Sequence, residues 1–311
     1  MMQKIKPFFI KVITPLHAGS GSDLGVVDLP IQRESHTGFP KIEASSLKGS
    51  IRKAFEDSCK NDEDKKKIHI AFGCDGCEKD FPDYFNDKNK EFAGALGFSD
   101  ARILFFPVKS VKGVFAYITC PMVLNRFYED KNLIKDEELK NSFTIPKVDS
   151  LSDENCIVFN NKENKTLVIN KSSVILEEYS FSVEETQTKD FIKIPNLDID
   201  KERIIIISDD NFSHFVKNST EVITRTKIDN TKGTVAQGAL FTEEYLPAET
   251  IMYSLVIANK SFSQKVDDLK EVDKVVEFFN KIPKNIQIGG NSTLGKGIVK
   301  ICCEGCNDEC K

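Results

Sequence analysis

Between His17 and Asp28 the chain reads HAGSGSDLGVVD, three glycines, two serines and two acids in twelve residues. Glycine permits positive φ and lets backbone N–H groups approach a phosphate closely, and Ser20 and Ser22 add donors. No Gly-Lys-Ser/Thr follows at the spacing of a Walker loop, and no helix opens directly behind, as a dinucleotide fingerprint requires. An irregular loop that needs glycines only for its turns is the plain alternative. The acids, Asp23 and Asp28, sharpen the question. A carboxylate beside phosphates is electrostatically costly unless it binds a cation or accepts a proton, so an acid here calls for a chemical role.

Two further runs carry compatible chemistry. In ASSLKGSIR, Lys48 and Arg52 are i,i+4 neighbours near a helix start, where two cations and free N–H groups can meet one phosphodiester backbone. A solvated helix face explains the pair equally simply. Ile288 to Gly297, IGGNSTLGKG, has four glycines in ten residues with Asn291, Ser292 and Lys296. It can clamp sugar-phosphate, or it is only a hairpin turn. Separately, Cys74-x2-Cys77 and Cys303-x2-Cys306 have the spacing of tetrahedral zinc ligands. The two pairs lie far apart in the chain, so a structural zinc needs the fold to join them. Otherwise they are free thiols.

These residues need elements to hold them. PFFIKVITPL (Pro7 to Leu16) is β-rich and partly alternating, which predicts a strand. About two dozen residues without periodicity follow, longer than an ordinary connection and therefore functional in character. Ser45 and Ser46 can cap a helix that buries Leu47, Ile51 and Phe55 and runs to about Asp57. Strands are expected at Ala101 to Val108 and Gly113 to Cys120. Residues 128–250 are less regular, with short strand candidates at Cys156–Phe159, Thr166–Ile169, Ser173–Leu176 and Ile204–Ile207. Order returns with a strand from Thr250 to Ala258, an amphipathic helix from Val266 to Ile282, and a final strand broken by the glycine loop. Strand–helix–strand–strand, then strand–helix–strand, suits an α+β, ferredoxin-like sheet. The expected organisation is one domain. Its palm covers about 1–127 and 250–301, insertions about 128–249, and a Cys-rich tail 302–311.

Composition narrows the class without deciding it. The 311 residues carry a net charge of −5, which argues against coating nucleic acid through bulk positive charge. Acids crowd into stretches that read as exposed insertions: Asn61 to Lys67, Glu78 to Glu91, Glu129 to Lys140 and Glu184 to Asp190. Outside them stand Arg33, Lys48, Arg52, Lys53, Arg126, Arg225, Lys227 and Lys296, beside glycines and hydroxyls. Nine cysteines, no signal-peptide pattern and no long apolar run lead to the expectation of a cytoplasmic protein with reduced thiols and no membrane contact.

The run PLHAGSGSDLGVVDLPIQRESHTGFPKIEASSLKGSIR resembles the N-terminal signature of the backbone RAMP subunit of type III-B CRISPR (Cmr) effector complexes. FSDARILFFPVKSVKGVFAYITCP, VITRTKIDNTKGTVAQGALFTEEYLP and IQIGGNSTLGKGIVKI agree in the same order. The glycine-rich terminal loop is shared by RAMP proteins generally. GVVDLPIQRE and FTEEYLP point to the Cmr backbone subunit over its type III-A counterpart. The likeness spans about Pro7 to Ile301 and is weakest over 128–215.

The resemblance implies an RRM-like palm with a thumb hairpin, stacked head-to-tail along a guide crRNA with further copies of itself and other Cmr subunits. Each thumb would displace one base pair of the guide–target duplex. The family's catalytic aspartate falls on Asp28, and Arg225 and Lys227 fall in the thumb segment. RNA carries its own nucleophile, the 2′-OH, and an extruded nucleotide can reach in-line geometry. Asp28 would act as general base or hold a divalent cation, Mg2+ or Mn2+, so that target single-stranded RNA is cut to a 2′,3′-cyclic phosphate and a 5′-OH. RNA contacts are expected from His17, Ser20, Arg33, Lys48, Arg52, Arg225, Lys227, Asn291 and Lys296. Glu243 and Glu244 are either supporting carboxylates or a solvated pair before Pro247. A binding-only scaffold of the same complex, with cleavage elsewhere, is the alternative. An unrelated α+β enzyme holding a phosphate-bearing ligand is more distant, since it leaves Lys48, Arg52 and the thumb without a task.

Overall fold

The computed structural model describes residues 3–22, 25–75, 79, 81–82, 91–159, 164–170, 172–184, 192–229, 231–261 and 269–306, without the side chains at 75, 227 and 236–239. Its centre is the strand Lys4–Val12. On one side this strand pairs antiparallel with Ile251–Ala258, from Lys4 opposite Ala258 to Lys11 opposite Ile251. On the other it pairs antiparallel with Ile298–Cys302, which carries Asn285–Gln287 at the sheet edge. Ala101–Ser110 pairs with the far side of Ile251–Ala258.

Both faces of this sheet are covered, which explains why the alternation of PFFIKV is only partial. Phe8 meets Phe98 and Phe279 on one face, and Phe9 meets Phe127 and Phe143 on the other. Phe8 and Phe9 are fully buried, and removing either ring would cost about 3–5 kcal/mol. The helix Ala44–Ser58 turns Leu47, Ile51 and Phe55 inward, as its spacing predicts, and Phe55 stacks on Phe278 of the helix Val272–Phe279 at 4.9 Å. Its start differs from expectation. Glu43 is the N-cap without a side-chain cap bond, Ser45 and Ser46 already lie inside the helix, and Asp100 accepts from the Ala44 amide instead. Of the helix expected from Val266 to Ile282, residues 266–268 lie outside the described residues, and the ordered turns run Val272–Phe279.

Ala101–Ser110 is long enough to serve two sheets. Its second half pairs with Val114–Thr119, and the path continues through Ile204–Ile206, Asn155–Val158, Tyr179–Val183 and Ser173–Leu176. Leu176 then lies opposite Ser110, closing a mixed ring of six strands. Residues 128–250 are thus more ordered than their pattern suggests, because the ring strands are short and buried. Thr166–Ile169 is a turn rather than a strand, joined to Ser173 by one bridge. The stretch Asn61 to Lys67 is not a loose insertion. It opens the helix Asp62–Phe72, capped by Asn61 and led by three acids that suit the helix dipole. The inward anchors Ile68, Ala71 and Phe72 come only later in that helix. Three further helices are absent from the sequence reading: Pro121–Asn132, Glu137–Ser142, and Asp209–Asn218, the last capped by Ser208.

Glu221–Asp229 and Thr234–Tyr245 form a separate two-stranded ribbon, paired from Glu221 opposite Tyr245 to Asp229 opposite Thr234. Val222, Ile228, Val235 and Leu240 on it are exposed. Its inner end is anchored, since Tyr245 and Leu246 are buried. Among the described residues no helix is long and apolar enough to cross a membrane.

Candidate functional site

Three segments meet at the base of the ribbon. The first is the loop after Lys4–Val12, pinched into a hairpin of its own: the Ser20 amide donates to the Pro30 carbonyl (3.0 Å) and the Gln32 amide to the Ala18 carbonyl (2.8 Å). The second is the glycine loop 288–297. The third is the strand end Thr242–Tyr245, which binds the other two.

Asp28 sits exposed at the far end of the first loop. Its Oδ2 accepts from the Thr242 amide (2.7 Å) and the Thr242 hydroxyl (2.9 Å), and its own amide donates to that hydroxyl (3.0 Å). These bonds, the amide's first, hold the Asp28 carboxyl below the usual carboxylate range. It is therefore an anion at neutral pH. Backbone pairing continues the link, with the Leu29 amide donating to Thr242 O and the Glu244 amide to Leu29 O, both 3.0 Å. Asp23 and Cys77 lie outside the described residues, and so does the Lys227 side chain.

Glu243 and Glu244 are not a solvated pair. Both are buried, because the strand end turns one towards each loop. Glu243 accepts from Asn291 Nδ2 (2.5 Å), the Tyr245 hydroxyl (2.8 Å) and Arg225 Nε (2.9 Å). Glu244 accepts from the Ile31 amide (3.0 Å), the Thr220 hydroxyl (2.7 Å) and Arg33 Nη2. Burial, then the bond to Glu243, pushes the Tyr245 phenol up to about 12. Arg225 Nη2 also donates to the Tyr245 hydroxyl, and Lys296 Nζ lies 4.9 Å from the centre of the Tyr245 ring.

His17 joins the two glycine loops. Its Nδ1 donates to the Glu244 carbonyl (2.7 Å), and its Nε2 stands 3.6 Å from Glu243 Oε1. Its carbonyl accepts from the Gly290 amide (2.9 Å). Glycine is required beside it: at Gly289, with φ of 81°, a Cβ would come within 2.2 Å of the His17 carbonyl oxygen. Gly297, φ 73°, would bring a Cβ to 2.0 Å from the Ile288 carbonyl oxygen, so the loop closes on itself only with glycine there.

The other cations divide by what they already hold. Arg33 donates to the carbonyls of Gly38 (2.9 Å) and Val216 (3.1 Å) besides Glu244, which makes it a clamp on the first loop. Arg126 Nη1 donates to both carboxylate oxygens of Glu34, at 2.8 and 3.0 Å. Arg52 binds Glu56 (2.8 Å) and the Gly73 carbonyl (3.0 Å). Among the described residues Lys48 has no such internal bond, and burial with the neighbouring Arg52 charge holds its ammonium below the usual lysine value. Ser20 donates its hydroxyl back to the Pro30 carbonyl at 3.2 Å.

Among the described residues no three His, Cys, Asp or Glu side chains converge on a common point. A hard divalent cation at Asp28 would therefore take one carboxylate from the protein and complete its shell with waters and phosphate oxygens, a mode typical of Mg2+. The donor chemistry fits that use. Cys303 and Cys306 pair as a disulfide with Cα atoms 5.4 Å apart, and Cys74 does not join them in a ligand cluster.

Across residues 9–300 the chain matches the family model described as RAMP superfamily. It belongs to the RAMP superfamily. The match takes in both glycine loops and the whole ribbon. This RAMP chain is 39% identical to the CRISPR system Cmr endoribonuclease Cmr4 of Pyrococcus furiosus, over 93% of its own length and 92% of the relative's. Its structure is similar to the crystal structure of oligomeric Cmr4 from Pyrococcus furiosus, with a TM-score of 0.68, 29% identity, and coverage of 98% and 99% of the two chains. It is also similar to a chain of type III-B Cmr-beta in the apo state, with a TM-score of 0.70, 27% identity and 97% of each chain covered.

Thr242, Thr220 and Tyr245 are the site residues that sequence reasoning did not single out. Thr242 and Tyr245 lie inside FTEEYLP, and strand alternation there would have put Thr242 and Glu244 on one side and Glu243 and Tyr245 on the other. Thr220 carries no such signal.

Proposed function

We propose that this chain is the backbone endoribonuclease of a type III-B CRISPR effector complex, binding guide crRNA, stacking with further copies of itself and other Cmr subunits, and cutting complementary target RNA. The observation that carries the reading is the exposed Asp28 anion, tied to the base of a protruding ribbon and flanked by two glycine loops. A pure scaffold has no use for a fixed negative charge on a face that meets phosphates.

The palm is ferredoxin-like in this reading. Support comes from the antiparallel order Ile298–Cys302, Lys4–Val12, Ile251–Ala258, Ala101–Ser110, with the helices Ala44–Ser58 and Asp62–Phe72 in the first crossover and Val272–Phe279 in the second. The ribbon 221–245 is the thumb, and the six-strand ring is the elaboration within 128–249 that shares Ala101–Ser110 with the palm. Exposed Val222, Ile228, Val235 and Leu240 give the thumb apolar surface suited to base faces. Guide contacts fall to Lys48, Lys296, Asn291, Arg225, Ser20 and the amides of the loops, with His17 and Arg33 holding those loops in place.

For cleavage, a nucleotide splayed by the thumb presents its 2′-OH in line with the scissile phosphate. Asp28 orients the reacting group and holds negative charge at a fixed point. Its low proton affinity favours cation binding over proton abstraction. A divalent ion, when bound, would neutralise charge developing on the phosphoryl oxygens. A structural zinc at the cysteine pairs is a separate proposal: it requires the Cys303–Cys306 disulfide to be reduced, so that both sulfurs can serve as thiolate donors. The reading is tested by incubating the assembled complex with complementary RNA. Cuts at regular spacing bearing 2′,3′-cyclic phosphate and 5′-OH ends, abolished by a chelator, support it. Intact target, or 3′-OH ends, contradict it.

A further inference from the structure

Among the described residues, no neighbour of Asp28 in its own loop forms a hydrogen bond to its carboxylate. The residues before it form bends, and Val26 two positions away is almost wholly exposed. What holds the carboxylate is on another segment. The Thr242 hydroxyl accepts from the Asp28 amide at 3.0 Å and donates to Asp28 Oδ2 at 2.9 Å. One hydroxyl has one proton to donate and lone pairs to accept with, so both bonds coexist and lock main chain and side chain of Asp28 together. The Thr242 amide adds a third bond to the same Oδ2. Oδ1 has no hydrogen-bond partner among the described residues and is left for substrate or cation. Thr242 also belongs to the strand Thr234–Tyr245, whose other end, beyond a register shift between Leu240 and Val235, is the exposed part of the ribbon.

We propose that Thr242 is a positioning residue that aims the Asp28 carboxylate and ties its placement to the seating of the ribbon on RNA. This rests on the reading of Asp28 as the cleavage residue and adds what sets its geometry. A ribbon lifted away from the loop carries Thr242 with it and frees Asp28 to turn, so cleavage is coupled to ribbon docking. Thr242 itself touches no reacting atom. Its contribution passes through the two bonds its hydroxyl makes.

The test uses the assembled complex with guide RNA and complementary target. Thr242→Val keeps the β-branched shape that suits a strand and removes only the hydroxyl. Thr242→Ser restores it. The expected result is a fall in single-turnover cleavage of about 10- to 100-fold for Thr242→Val, the scale of a misaimed catalytic group. Target affinity should stay within about 2-fold, and Thr242→Ser should return cleavage to within about 3-fold of wild type. On an Asp28→Asn background, Thr242→Val should cost nothing further, because the group it aims is gone. Wild-type cleavage by Thr242→Val beside an inactive Asp28→Asn overturns the proposal and leaves the parent reading intact. Loss of target binding in Thr242→Val, or failure of serine to rescue, also overturns it, since each marks a general structural role. Normal cleavage by Asp28→Asn removes the parent reading itself.

Discussion

Replacing Arg33 by alanine separates two roles for a cation that its sequence context places near RNA. Its guanidinium is 23% exposed and faces Glu244, which is 6% exposed, while Nη1 donates to the Gly38 and Val216 carbonyls. Arg33→Ala leaves a buried carboxylate with only the Ile31 amide and the Thr220 hydroxyl. Breaking a buried pair in this one-sided way costs about 3–5 kcal/mol, and the partial exposure of Arg33 puts it near about 3. In a chain of this size each kcal/mol lowers Tm by about 2 °C, so a drop of about 6 °C is expected. Arg33→Ala/Glu244→Ala should be less damaging than the two single costs added together, by about 1–3 kcal/mol, because no charge is then stranded. Thermal unfolding followed by circular dichroism reads the first effect. A salt titration of guide binding reads the second, and its slope should not change. A Tm within about 1 °C of wild type, with a slope reduced by about 0.7, the worth of one single-strand phosphate, would refute the clamp and make Arg33 an RNA contact.

Lys48→Ala should reduce the slope of guide affinity against salt by about 0.7, and Arg52→Ala by much less, because Arg52 is already committed to Glu56 and the Gly73 carbonyl. Equal slopes for both would return Arg52 to the RNA face. Burial depresses the Lys6 ammonium to about 8. Its folded value therefore lies below the unfolded one, the fold penalises the charged form, and stability rises as pH goes from about 8 towards 10.5. Denaturant titrations at pH 7.5 and 10 should show a gain of about 2 kcal/mol that Lys6→Met lacks. For the cysteines, metal analysis of protein purified under reducing conditions without chelator should find near-stoichiometric zinc, lost in Cys303→Ser. Zinc-free folded protein would leave Cys303 and Cys306 as a plain disulfide or thiol pair.

Much of the frame was legible because its signals are local. Leu47, Ile51 and Phe55 at helical spacing gave the first helix face, and the β-rich runs Pro7–Leu16, Ala101–Val108 and Thr250–Ala258 fell on sheet strands, the first only as far as Val12. The glycine loops were legible for a related reason: at Gly289 and Gly297 only glycine fits both the φ and the space. The six-strand ring was not: strands are expected at Ala101–Val108, Gly113–Cys120, Cys156–Phe159, Ser173–Leu176 and Ile204–Ile207, but Tyr179–Val183 is missed. Nothing local shows that such strands pair with partners far away in the chain. Asn61 and the acids behind it looked like a solvated insertion because a capped helix start and a polar loop share a composition. In the site, charge was legible and pairing was not. Arg33 and Glu244 each read as groups facing solvent or RNA, and only tertiary contact reveals that they hold one another. Thr242 is the extreme case, an unremarked hydroxyl 214 positions from the acid it holds.

The most direct test of the central claim is the cleavage rate of assembled complex carrying Asp28→Asn, measured beside its affinity for target. Asparagine keeps the shape and can still accept from Thr242, so only the charge is removed. Target and guide should bind with near-normal affinity, and cleavage should fall by at least ~100-fold, at every regularly spaced position together. Normal cleavage with target bound would contradict the account, and this RAMP chain would then be a scaffold for chemistry performed elsewhere.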